Sequence, residues 1–125
     1  MKKIIFASLL VLSVASAWAT GVSWSEVKHC DQGYSLVRGE SWGQGGNAVS
    51  FQANITNDAL KSLEEQLGED FATALEVKTT RFGYFTGKFG TLKIEIEEHG
   101  SSSVSLNVFD KSGERVADYQ FYNCR

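Results

Sequence analysis

The chain has 125 residues, 42 % of them hydrophobic, with 15 acidic against 12 basic side chains and a formal net charge of −3. A chain of this length forms one domain around one core. Its acidic balance argues against a nucleic-acid or anionic-membrane partner and suits a basic one.

Met1-Lys2-Lys3 is a short basic start, Ile4 to Ala15 is almost unbroken apolar sequence, and Ala15-Ser16-Ala17 and Ala17-Trp18-Ala19 place small residues at the spacing of a cleavage site. This is the pattern of a secretory signal peptide over residues 1–19, cut after Ala17 or Ala19. The apolar run is shorter than the roughly 20 residues a spanning helix needs. What remains, residues 20–125, reads as a single exported domain. Lys2 and Lys3 leave with the leader, so ten basic residues face fifteen acidic ones. The first cysteine, Cys30, does not directly follow the leader. The expectation is therefore a soluble periplasmic or secreted protein without a lipid anchor.

Val22 to Lys28 alternates apolar and polar residues and reads as a first strand; Tyr34 to Arg38 reads as a second. Gly39 to Asn47 carries four glycines (39, 43, 45 and 46) and reads as a loop. Ala48 to Ile55 is a third strand, with Val49, Phe51, Ala53 and Ile55 on one face. The period then changes. From Thr56 or Asn57, Leu60, Leu63 and Leu67 recur at helical spacing, Asp58 sits in the first turn, and Gly68 stands where a left-handed C-cap belongs. This predicts one helix of about three turns with a narrow apolar stripe, enough to cover one sheet face. Period two returns in Leu75–Thr80, which could continue to Phe85, then in Leu92–Glu97, Val104–Val108 and Val116–Asn123. The connections read as 86–90, 98–102 and 111–114, each of hairpin length with a glycine. The fold class expected is α+β: an antiparallel β-sheet or sandwich of about seven strands with one short helix packed on it, closed by one disulfide.

Cys30 and Cys124 are the only cysteines. In an exported domain such a pair forms a disulfide; free or metal-bound thiols are the alternative. A zinc site from His29, Cys30 and His99 would need a reduced thiol and a fourth ligand, and no zinc spacing is present. No metal or other cofactor is expected. Neither His29 nor His99 has a serine or cysteine at a nucleophile motif spacing. Glu95 and Glu97 share a strand face with Lys93, which reads as a solvated face with cross-strand ion pairs rather than a glycosidase pair. The sequence therefore reads as a non-enzyme. The triplet Asn54-Ile55-Thr56 is a glycosylation sequon only in a eukaryotic pathway.

Two segments suit recognition. In the 39–47 loop, Trp42 stands among glycines with Arg38, Glu40, Ser41 and Gln44 nearby; it is either a hot spot for a partner or a cap folded over the core. In Arg81–Gly90, Phe82 and Tyr84 point one way and Phe85 the other, so aromatic residues occupy both faces of the sheet. Phe82, Tyr84 and Phe89 are core residues or interface aromatics.

The whole chain resembles the periplasmic immunity proteins of bacterial type VI secretion systems. The likeness is to those that neutralise the lysozyme-like, peptidoglycan-degrading domain of a VgrG-type spike effector. It is carried by the leader Met1-Lys-Lys-Ile-Ile-Phe6, by Gly21-Val-Ser-Trp24-Ser-Glu-Val-Lys-His29-Cys30, and by Tyr119-Gln-Phe-Tyr-Asn-Cys124-Arg125, not by a short motif. The resemblance implies a non-enzymatic homodimeric inhibitor that occludes a hydrolase cleft and protects against sister-cell killing. Arg38, Gln44 or the Trp42 N–H could then face the hydrolase carboxylates. A general lysozyme inhibitor, a small glycan hydrolase using Glu95 and Glu97, and a carrier of a small apolar ligand lined by Phe82 to Phe89 are the competing readings.

Overall fold

The computed structural model describes residues 21–43 and 46–125; the leader assigned to residues 1–19 and the candidate Gln44 lie outside the described residues. Eight strands follow in chain order: β1 (Gly21–Cys30), β2 (Tyr34–Trp42), β3 (Ala48–Ile55), β4 (Ala74–Arg81), β5 (Tyr84–Phe89), β6 (Leu92–His99), β7 (Ser103–Phe109) and β8 (Arg115–Phe121), with one helix, α1 (Asn57–Leu67), between β3 and β4. They form one curled sheet in the order β1 to β8. All seven neighbouring pairs are antiparallel. The α+β expectation is met, with eight strands in a single sheet.

The extra strand comes from residues 74–89. Phe82-Gly83 forms a tight turn there, with Gly83 at φ 76°. The apolar run therefore folds back on itself instead of continuing to Phe85, and 86–89, expected in a connection, belong to β5. A second correction concerns Gly39–Trp42, expected in a loop. These residues extend β2 and pair with β1 through Gly21↔Trp42 and Trp24↔Gly39. Their glycine is there for close approach rather than for a turn: a Cβ on Gly39 would meet the Trp24 ring.

The register places Tyr34, Leu36, Ala53, Ile55, Leu75, Val77, Phe85, Ile94, Ile96, Val104, Leu106, Val108, Ala117 and Phe121 on one face, and all are buried. The helix covers this face with Ala59 and Leu63 fully buried and Leu60 and Leu67 at the margin. Gly68 ends it in the left-handed conformation expected, its N–H donating to the Glu64 carbonyl. At the other end Thr56 gives no side-chain cap. The turn after β1 does that work: the Gln32 carbonyl accepts the Ala59 N–H at 3.3 Å, and the Gly33 carbonyl accepts the Thr56 N–H at 2.8 Å.

The sheet closes on itself at one point. His29 and Arg125 exchange two backbone hydrogen bonds of 2.9 Å, and the adjacent Cys30 and Cys124 form the disulfide. Lys28 of β1 and Glu98 of β6, both largely buried, form an ion pair at 3.8 Å. The outer edge of β8 is capped at two positions. The Gln66 side chain of α1 donates to the Asp118 carbonyl at 2.8 Å and accepts its N–H at 3.0 Å, while Gln32 Oε1 accepts the Tyr122 N–H at 2.7 Å. Side-chain amides thus stand in for a neighbouring strand. No helix among the described residues is long and apolar enough to cross a membrane.

Candidate interaction surface

The first three strands outrun the core. The β3–β4 ladder spans only Phe51↔Val77 to Asn54↔Ala74. Beyond it Ala48–Ser50 pairs with β2 alone, and Gly21–Glu26 pairs with β2 on one side only. The projection consists of Gly21–Glu26, Arg38–Trp42 and Ala48–Ser50. Four of the seven large hydrophobic residues exposed among those described, Val22, Trp24, Trp42 and Val49, lie on it, and a fifth, Val27, lies at its root where β1 bulges. Isolated apolar residues at a surface need no explanation, but their concentration on one projection does.

Both tryptophans are seated on glycines. A Cβ on Gly21 would fall 2.6 Å from Trp42 Cζ2, and one on Gly39 would fall 2.6 Å from Trp24 Cζ3. Each indole therefore lies across the bare backbone opposite it. The two seats are related by the antiparallel register and put the rings on opposite faces of the projection. Sequence reasoning placed neither seat, yet the signal is present: Gly21-Val-Ser-Trp24 and Gly39-Glu-Ser-Trp42 repeat one Gly-x-Ser-Trp pattern, and antiparallel pairing crosses the two copies. Trp42, 45 % exposed, does not fold over the core.

Arg38 and Glu40 share the face of Trp42 and form an ion pair along β2. Ser41 faces the other way, its hydroxyl 3.5 Å from the Ala48 carbonyl. A depression at the tip is lined by Glu40, Ser41, Trp42, Asn47, Ala48 and Val49. The structure thus gathers Glu40, Ser41 and Trp42 at one depression, with Arg38 bonded to Glu40.

The projecting part of β1 also has an open edge. His29 turns its N–H and C=O away from β2, toward Arg125. Strand alternation, with the register shift between Glu26 and Lys28, turns the backbones of Val22, Trp24 and Glu26 the same way. No described residue bonds to them.

The second aromatic segment is dispersed. Phe82 is fully exposed at its turn, Phe85 is buried, and Phe89 packs edge-on against Phe71 with ring centroids 5.3 Å apart. Tyr84 lies on the outer face under Arg81, whose guanidinium sits 4.3 Å from the ring centroid. A hydrogen bond to Glu95, with smaller contributions from partial burial and from the charge of that carboxylate, pushes the Tyr84 hydroxyl up to about 12. Lys93 lies 3.4 Å from Glu95 and Arg81 lies 4.0 Å from Glu97, so each carboxylate has its own cation on an open sheet face.

The fold also joins His99 to a serine that the sequence spacing did not reveal. His99 Nε2 lies 2.6 Å from Ser105 Oγ, which donates to Gln120 Oε1 at 2.7 Å. With the hydroxyl hydrogen on Gln120, His99 must be the donor to Ser105. That polarity is the reverse of a base-activated nucleophile. Cys30, the third member of the zinc set considered above, is taken up in the disulfide.

No family model, curated protein or solved structure matches this chain.

Proposed function

We propose that this protein is a periplasmic immunity protein that binds a lysozyme-like, peptidoglycan-degrading type VI secretion effector and occludes its active-site cleft. The observation that carries the reading is the projecting end of β1–β3. Trp42 is fixed there on Gly21, stands clear of the core and is flanked by the Arg38–Glu40 pair. A rigid, half-exposed tryptophan with charged neighbours is the usual chemistry of an interface hot spot. Arg38 supplies a guanidinium for a catalytic carboxylate, exchanging Glu40 for it. The disulfide suits the oxidising compartment to which the leader would deliver the chain. The protein acts by steric occlusion and not as an enzyme. A second copy docks on the open edge of β1, where Val22, Trp24 and Glu26 leave backbone groups to pair in antiparallel two-fold fashion.

The test is lysis of purified cell walls by the effector's hydrolase domain, with and without the protein. Stoichiometric protein should stop turbidity loss. Trp42→Ala should weaken binding by about 2 kcal/mol or more, roughly thirtyfold. Undiminished lysis at excess protein refutes the inhibitor reading, and unchanged affinity of Trp42→Ala refutes the placement of the surface. Sedimentation equilibrium should give a dimer that Trp24→Lys converts to monomer.

A further inference from the structure

The depression beside Trp42 suits a small ligand as well as a protein partner. One face of the indole is closed by the Gly21 backbone, and the ring remains 45 % exposed. The result is a flat, fixed aromatic surface. Around it stand a carboxylate (Glu40) and a carboxamide (Asn47), with Val49 as the apolar side. Its volume of about 380 Å³ lies at the small end of ligand sites, roughly 300–1,000 Å³.

We infer that this depression binds a neutral pyranose ring of a glycan. A pyranose presents one face of C–H groups and a rim of hydroxyls. The C–H face stacks on an indole, and the hydroxyls need acceptors and donors at the periphery, which Glu40 and Asn47 provide. Glu40 is tied to Arg38, so it is held in place for a sugar hydroxyl and disfavours an anionic ligand. Because Gly21 fixes the ring before binding, little side-chain freedom is lost when a sugar stacks. Trp24 supplies an internal control: it has the same seat, on Gly39, but faces the other side of the projection.

The inference goes beyond the inhibitory reading and does not need it, since no hydrolase enters the test. The purified exported protein is titrated calorimetrically with cellotetraose and with chitotetraose. Saturable binding of at least one is expected. Trp42→Ala should lower the affinity at least about tenfold. Glu40→Gln and Asn47→Ala, which leave the Gly21 seat intact, should each weaken it, and Trp24→Ala should leave it unchanged. No saturable heat with either sugar at millimolar concentration overturns the inference. Equal losses in the Trp42 and Trp24 variants overturn the site.

Discussion

Replacing Cys30 and Cys124 together by alanine removes the covalent closure of the sheet and leaves the His29–Arg125 hydrogen bonds in place. The two cysteines are 94 residues apart, so the disulfide restricts nearly the whole unfolded chain. The chain-entropy relation gives about 16 cal/mol/K for a loop of that size, or about 4.7 kcal/mol at 25 °C. Cys30 is fully buried, and losing its sulfur contacts adds on the order of 1 kcal/mol. The two retained backbone bonds are each worth about 1 kcal/mol and do not offset the loss, because they also hold the seam in the parent. The expected outcome in urea is a midpoint shift equivalent to about 4–6 kcal/mol. The slope should be steeper, because the open unfolded chain exposes more surface. A loss under about 1 kcal/mol with an unchanged slope would refute the reasoning, since the disulfide would then not be restricting the unfolded chain.

Three further outcomes follow from the packing. Gly33, at φ 106°, sits against the Thr56 carbonyl so closely that a Cβ would overlap it; Gly33→Ala should cost about 3 kcal/mol or more in thermal melts. The Tyr34 hydroxyl is buried without a hydrogen-bond partner among the described residues, so Tyr34→Phe should leave the urea midpoint unchanged or raise stability by up to about 1 kcal/mol. Alkaline pH should destabilise the fold. The Tyr84 hydroxyl is raised to about 12 by its bond to Glu95, and burial, with the Glu98 charge, raises Tyr34 further. The folded state therefore holds these protons more tightly than the unfolded chain does. Stability is full below about pH 10 and falls as the pH rises through 12. Tyrosinate absorbance at 295 nm, followed alongside circular dichroism, should complete only with unfolding.

The helix and the disulfide were legible because their signals are local or compositional. The Leu60–Leu63–Leu67 spacing, Asp58 and Gly68 mark the helix within a dozen residues, and two cysteines admit only one intramolecular pairing. The projection was not legible residue by residue. Glycine at position 39 carries the same symbol whether it ends a strand or makes room for an indole, and only the register with Trp24 decides. Phe82-Gly83 failed for the opposite reason: an apolar residue at a turn looks like strand until the following glycine takes a positive φ. Glu40, Ser41 and Trp42 stand out by composition as a loop, with Arg38 at the end of the strand before it. They come together as part of a strand whose alternation sends Ser41 to the other face.

The amides of Gln66 and Gln32 have a consequence for assembly. Growth of a sheet from molecule to molecule needs a donor edge and an acceptor edge on every copy, and a chain with both can polymerise without limit. Here Asp118 and Tyr122 already have partners on one side, while Val22, Trp24 and Glu26 offer theirs on the other. A strand that docks there meets, on the far side of the molecule, a β8 edge already obstructed at Asp118 and Tyr122. By the placing of two glutamines, head-to-tail pairing of β1 with β8 between molecules is obstructed, which works against the open-ended stacking that leads to fibres.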